Sequence, residues 1–133
     1  LLFQKEVDFL GTNPDLRCPA SFGFIPDCGA ICRMLEVTAG RKPYFIGKPN
    51  RLIADLCMQQ CKGSPEEYLV VGDRLYTDIA CGIEAGIETA VVYTGEADPE
   101  EVRTSIWKPD YAFDTIRQLY DAVRKARGEG AGR

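Results

Sequence analysis

From about residue 41 onward, short apolar runs alternate with segments of helical periodicity, and this alternation restricts the fold more than any other feature of the chain. Tyr44-Phe45-Ile46 predicts a strand. The segment after it carries Ile53, Leu56, Cys57 and Cys61 at three- and four-residue spacing, which is one face of a helix. Ser64-Pro65-Glu66-Glu67 has the capping-box pattern of a short helical turn and leads into a second strand at Tyr68-Leu69-Val70-Val71. A helix is expected from about Thr77 to Ala85, stopped by Gly86, and a third strand at Ala90-Val91-Val92-Tyr93. Asp98-Pro99-Glu100-Glu101 supplies the N-cap, the first-turn proline and the third-position Glu of another helix. Tyr111-Ala112-Phe113 predicts a last short strand, and Ile116, Leu119, Tyr120 and Val123 form an apolar stripe on a final helix. Strands rich in β-branched residues, alternating with helices of about ten residues, predict right-handed βαβ units and a parallel sheet. The fold class is α/β.

The first forty residues follow a different pattern. Val7-Asp8-Phe9-Leu10 predicts a strand, residues 11–24 contain Gly and Pro breaks without period and predict a loop, and a helix is expected from about Asp27 to Thr38, ended by Gly40. The chain opens on Leu1-Leu2-Phe3 in what resembles the end of a helix, so an N-terminal part is expected to precede it. The Gly-rich tail from Gly128 to Arg133 has nothing to bury and is expected to fray.

Counts of residue types exclude several function classes. The chain has 133 residues and a formal net charge of −4, which gives no electrostatic footprint for nucleic acid. No apolar run approaches the roughly 18 residues that span a bilayer, and the start shows no basic stretch followed by an apolar one. The expected setting is cytoplasmic, with neither nucleic acid nor membrane as partner. There is no histidine, so Ser-His-Asp and Cys-His catalysis and His-ligated metals are out. Of the six cysteines, Cys28/Cys32 and Cys57/Cys61 are i,i+4 pairs in predicted helices, a spacing unlike a zinc knuckle. All six are expected as free thiols used as small core residues.

In open parallel α/β sheets, ligands sit beyond the carboxyl ends of the strands, and two segments place reactive side chains there. The first is Gly47-Lys48-Pro49-Asn50, where Lys48 lies beside a helix N-terminus suited to an anion; the alternative is a surface lysine in a turn. The second is Gly72-Asp73-Arg74-Leu75-Tyr76-Thr77-Asp78. On one helix, carboxylates five residues apart point about 140° from each other. They converge only if Asp73 ends the strand and Asp78 lies in the first turn that follows. Such an oxygen-rich pair suits Mg²⁺; the alternative is that Asp73 starts a turn and Asp78 caps a helix. No Gly-x-Gly-x-x-Gly follows a strand, which argues against dinucleotide binding. In a receiver-like signalling domain the carboxylates precede the lysine, whereas here Lys48 comes first.

Taken together, strand, Gly-Lys-Pro, helix, strand and Gly-Asp-x-x-x-x-Asp resemble the haloacid dehalogenase (HAD) superfamily, specifically its subfamily IIA phosphatases of NagD-like and p-nitrophenyl phosphatase-like type. Phe9-Leu10-Gly11-Thr12-Asn13-Pro14-Asp15, Cys28-Gly29-Ala30, Gly40-Arg41-Lys42-Pro43, Thr77-Asp78-Ile79 and Gly82-Ile83-Glu84-Ala85-Gly86-Ile87 are similar to that subfamily as well. The resemblance implies a Rossmann-like sheet. Residues 1–43 would end an inserted α/β cap domain, and residues 44–127 would be the C-terminal half of the core. It implies that Lys48 neutralises the nucleophile and the substrate phosphate, that Asp73 ligates Mg²⁺, and that Asp78 fixes a metal-bound water. Asn13, Arg17 and Cys18, in the loop 13–19, would lie near the leaving group of a small phosphorylated metabolite.

One departure is large. The family's Asp-x-Asp nucleophile motif has no counterpart, since Asp110 and Asp114 are four apart and follow Asp73, and the Ser/Thr of its second motif is also absent. The expectation is therefore a Mg²⁺-dependent phosphomonoester hydrolase in the complete protein, acting through an aspartyl-phosphate, with this chain lacking the nucleophile. The rival is a non-catalytic α/β anion-binding or regulatory module. Without the missing segment, an exposed sheet edge and apolar helix faces favour self-association.

Overall fold

In the computed structural model, which describes residues 1–128, the chain begins with β1 (Leu10–Gly11), a hairpin of β2 (Arg17–Ala20) and β3 (Gly23–Pro26), and helix α1 (Cys28–Ala39). It continues through β4 (Tyr44–Phe45), α2 (Leu52–Cys61), β5 (Leu69–Gly72), α3 (Ala80–Ala85), β6 (Glu88–Val92), α4 (Pro99–Thr104), β7 (Tyr111–Phe113) and α5 (Ile116–Ala126). β5, β6 and β7 form a parallel sheet in that order, so the strands expected near Tyr68, Ala90 and Tyr111 pair as the βαβ pattern requires.

The strand near Tyr44 does not join them. β4 pairs in parallel with β1, Leu10 opposite Tyr44 and Gly11 opposite Phe45, in a separate two-stranded sheet. Tyr44 N–H donates to the Phe9 carbonyl at 2.8 Å and Ile46 N–H to the Gly11 carbonyl at 3.0 Å. Glycine is required at position 11, because a Cβ there would lie 2.5 Å from the Phe45 ring. The boundary expected after residue 43 falls beside this ladder, whose strands lie on either side of it.

Residues 11–24 are also more ordered than their composition suggests. Four register pairs, from Arg17↔Pro26 to Ala20↔Gly23, make them part of an antiparallel hairpin. Its residues are nearly all exposed, so neither face carries the alternation that marks a half-buried strand. Gly23, at φ 132, takes the backbone conformation the turn needs. One side chain reaches three carbonyls of the segment before β1: the Arg41 guanidinium donates to those of Leu2, Gln4 and Val7 at 3.0, 2.8 and 2.6 Å.

Local capping follows the sequence closely. Asp27 accepts from Cys28 N–H at the start of α1, and Gly40 ends that helix at φ 68. Asp98 accepts from Glu101 N–H at 2.8 Å, and Glu67 accepts from Ser64 N–H at 2.8 Å. The helix expected from Thr77 to Ala85 opens instead with a π-helical turn at Leu75–Ile79, in which Arg74 C=O accepts from both Asp78 and Ile79. That wide turn buries Leu75, Thr77, Asp78 and Ile79.

The core consists of two clusters of buried residues: Ala54, Cys81, Ala85 and Ile87 form one, and Leu75, Ile79, Val91 and Ala97 the other. Asp110 has a structural role here: its carboxylate accepts from the backbone and hydroxyl of fully buried Thr89 at 2.8 and 3.0 Å. On α5 only Leu119 of the expected stripe is buried; Ile116, Tyr120 and Val123 are exposed. All six cysteines are free, but only Cys32 and Cys81 are buried, so the small-core expectation fails for Cys18, Cys57 and Cys61, which are exposed. Among the described residues no helix is long and apolar enough to cross a membrane. The expectation of a frayed tail concerns residues 128–133, of which 129–133 lie outside the described residues.

Candidate active site

Beyond the carboxyl ends of β4 and β5 opens a cleft of about 420 Å³ lined by Thr12, Asn13, Asp15, Lys48, Asp73 and Asp78, among others. Two chain segments that are thirty residues apart in sequence meet there. The Lys48 ammonium, half exposed, pairs with Oδ1 of Asp78, whose side chain is only 7% exposed. Asp78 Oδ2 accepts from the backbone N–H groups of Asp73 and Arg74 at 3.2 and 3.1 Å. These bonds run backward, to residues preceding it, so Asp78 is not an ordinary N-cap. It pins the loop and the lysine together. Gly72 makes this possible, since a Cβ there would lie 2.2 Å from Asp78 Cβ.

Asp73 sits directly after β5 and is held from the other side. Its Oδ2 accepts from Glu96 N–H at 3.0 Å and its carbonyl from Ala97 N–H at 2.8 Å. No described residue donates to Oδ1. Gly95 packs against the carboxylate so closely that a Cβ would lie 1.9 Å from Oδ2. Gly95→Ala should therefore displace Asp73 while leaving the strands intact. The expected result in the complete protein is a loss of turnover of about a hundredfold with little change in the urea midpoint, checked by steady-state kinetics beside urea unfolding.

Sequence reasoning missed an ion network that borders the cleft. Arg74 Nε contacts Glu96 at 2.6 Å and Nη1 contacts Asp15 at 3.5 Å, tying the segment after β1 to the loops after β5 and β6. Burial works against the guanidinium's charge, but Glu96, Tyr76 and Asp15 outweigh it and hold its pKa above the usual value. Burial first, and then the Glu96 carboxylate, push the Tyr76 phenol up; its hydroxyl lies 3.2 Å from Glu96. Asp15 Oδ1 is buried with no hydrogen-bond partner. The only signal in the sequence was the position of Asp15 at the end of Thr12-Asn13-Pro14-Asp15.

The remaining expected site residues separate. Asn13 lines the cleft, and its side chain accepts from Asp15 N–H at 3.1 Å. Arg17 lines a neighbouring cavity of about 580 Å³ with Phe24, Tyr76 and Glu96, and its guanidinium stacks 4.3 Å above the Phe24 ring. The two cavities share Asp73 and Arg74. Cys18 is exposed, follows Arg17 on an extended strand and so projects from the opposite face of the hairpin; it lines neither of these two cavities.

Among the described residues no three Cys, Asp or Glu side chains come together as a cage. Mg²⁺ does not require one, because it commonly keeps several waters and takes one or two carboxylates plus substrate phosphate oxygens. Asp73 Oδ1 fits that demand, and both oxygens of Asp78 are already engaged.

Lys48, after β4, and Asp73 and Asp78, after β5, thus share one cleft at the carboxyl ends of parallel strands in an α/β fold. The HAD-hydrolase-like family model matches residues 45–119, more than half of the chain, and the chain belongs to that family. Its relatives are named phosphatases. It is 32% identical over 123 residues to dihydroxyacetone phosphatase of Corynebacterium glutamicum, covering 92% of this chain and 45% of that protein. It is 34% identical over 111 residues to ribonucleotide monophosphatase NagD of Escherichia coli, covering 84% and 43%. Among solved structures, 4-nitrophenylphosphatase from Thermotoga maritima is similar with a TM-score of 0.83 and 40% identity, covering 90% of this chain and 46% of that one. The chain spans less than half the length of these relatives.

Proposed function

We propose that the complete protein is a Mg²⁺-dependent phosphomonoester hydrolase acting on a small phosphorylated metabolite, and that this chain supplies the charge-stabilising half of its site. The observation that carries this reading is the convergence of Lys48, Asp73 and Asp78 in one cleft. Asp73 holds the metal through its free oxygen, and when bound the ion supplies positive charge against phosphate oxygens. Lys48 offers a second positive charge from a half-exposed position, where it can meet an incoming phosphate. Asp78 keeps the ammonium aimed into the cleft and fixes the backbone of Asp73 and Arg74, so the charges are set before the substrate arrives. The attacking carboxylate comes from sequence preceding this chain in the complete protein.

Asn13 and Arg17 face the leaving group in this reading, Asn13 from the cleft wall and Arg17 from the adjoining cavity. Relatives named dihydroxyacetone phosphatase and ribonucleotide monophosphatase support a small metabolite as substrate. Free thiols at all six cysteines suit a cytoplasmic setting. The test is turnover of p-nitrophenyl phosphate by the complete protein. Release of nitrophenolate that needs Mg²⁺ and stops on chelation is expected. A complete protein that binds phosphate but turns over no ester would overturn the reading in favour of a binding module.

A further inference from the structure

Outside the cleft, the described residues contain one close pair of thiols. Cys28 is the first residue of α1, Cys32 lies one turn later, and their sulfurs are 3.8 Å apart. Cys32 is buried, whereas Cys28 is partly open to solvent. We propose that Cys28 and Cys32 form a reversible oxidation site for hydroperoxides, Cys28 being oxidised first and Cys32 closing the disulfide. The two thiols are chemically unequal. The Asn13 backbone N–H, and after it the Thr12 hydroxyl, donate to the Cys28 sulfur and hold that thiol below the usual thiol range. Burial pushes Cys32 the other way. Thiolate character and access thus coincide at Cys28, as a peroxide-reactive sulfur requires.

In the first step the Cys28 thiolate attacks one peroxide oxygen. An S–O bond forms as the O–O bond breaks, the sulfur is oxidised to a sulfenic acid, and the other oxygen leaves with a solvent proton as water or alcohol. In the second, Cys32 sulfur attacks the sulfenic sulfur. The S–S bond forms as the S–O bond breaks, and the departing hydroxide takes the Cys32 proton to become water.

Closure has a mechanical consequence. Side chains four apart on a helix keep their Cβ atoms about 5–6 Å apart, whereas a disulfide draws them to about 4.5 Å or less. The first turn of α1 must therefore tighten. That turn is pressed against the cleft wall: Gly29 N–H donates to the Asp15 carbonyl at 2.8 Å, and a Cβ on Gly29 would lie 2.1 Å from the Pro14 carbonyl oxygen. Gly47, next to Lys48, packs equally closely on the Thr12 carbonyl. Oxidation removes the sulfur from Thr12 and Asn13 and shifts the wall that carries Asn13 and Asp15. The effect on turnover rests on the proposed phosphatase function; the chemistry of the pair does not.

The experiment exposes the complete protein to hydrogen peroxide, blocks residual thiols, and maps the peptide 18–33 by mass with fragmentation. Loss of two hydrogens between Cys28 and Cys32 is expected, with a dimedone-reactive Cys28 in the Cys32→Ser variant. The exposed pair Cys57/Cys61, which has the same spacing on α2, should stay reduced at the same peroxide dose. Oxidation that spares Cys28, or falls first on Cys18, overturns the assignment. Turnover of p-nitrophenyl phosphate should fall about tenfold or more on oxidation, recover with dithiothreitol, and become insensitive in Cys28→Ser. A disulfide that leaves turnover unchanged overturns the coupling to the cleft. A complete protein without phosphatase activity would remove the proposed function, while the mass map would still decide the thiol pair.

Discussion

Asp73→Asn and Asp78→Asn, made separately in the complete protein, should fail in different ways. Asp73→Asn leaves a carbonyl oxygen that can still accept from Glu96 N–H, so the fold is expected to keep its stability. It removes the anionic oxygen proposed to hold Mg²⁺, and half-maximal activity should need about a hundredfold more Mg²⁺, the upper range for disturbing a metal site's protein ligation. Asp78→Asn does the reverse. One carboxylate oxygen meets the Lys48 ammonium and the other meets two backbone N–H groups, so an amide NH₂ must face one donor or the other. A loss of about 2 kcal/mol of stability is expected, as for a buried donor left without an acceptor, with little change in the Mg²⁺ requirement of the activity that remains. Mg²⁺ titrations of turnover beside urea unfolding separate the two. Equal shifts in Mg²⁺ requirement would remove Asp73 from its assigned role.

The positions of Lys48, Asp73 and Asp78 were more legible than the pairing of β4, for a physical reason. Lys48, Asp73 and Asp78 lie at element ends, where short-range signals act: an apolar run stops and a glycine permits a turn. Once β5 is placed by its apolar residues, Asp73 must follow it, and Asp78 must come within the next turn. The pairing partner of Tyr44-Phe45 depends on a contact 34 residues away in sequence, and two residues carry too little pattern to specify it. The hairpin Arg17–Pro26 is hidden for a different reason. With both faces exposed, its order comes from backbone pairing and from Arg17 stacking on Phe24, neither of which leaves a hydrophobic period. Asp15 was invisible because its importance comes from Arg74, which approaches it from the other side of the cleft.

The 133-residue chain alone should hydrolyse no phosphomonoester at a measurable rate, even in excess Mg²⁺. Each carboxylate of the cleft is committed elsewhere. Asp78 has no oxygen free, Asp73 offers one oxygen in the place proposed for the metal, and the unpartnered oxygen of Asp15 is buried. Charge stabilisation without a nucleophile leaves roughly 10³-fold or more of the rate enhancement unrealised. The chain by itself should also associate. β5 is an edge strand in the parallel sheet, with Leu69 and Val71 partly exposed along it, and such an edge recruits another strand. Ile31, Met34 and Val37 on α1 and Ile116 and Tyr120 on α5 add open apolar surface. Co-expressing the preceding part of the complete protein should cover β5, convert the chain to a discrete complex by size-exclusion chromatography, and restore Mg²⁺-dependent turnover of p-nitrophenyl phosphate. Brisk turnover by the chain alone, at verified intact mass, would place the nucleophile within these residues and make Asp15 the first carboxylate to substitute. A discrete complex without turnover would leave Lys48 and Asp73 as parts of an anion-binding module.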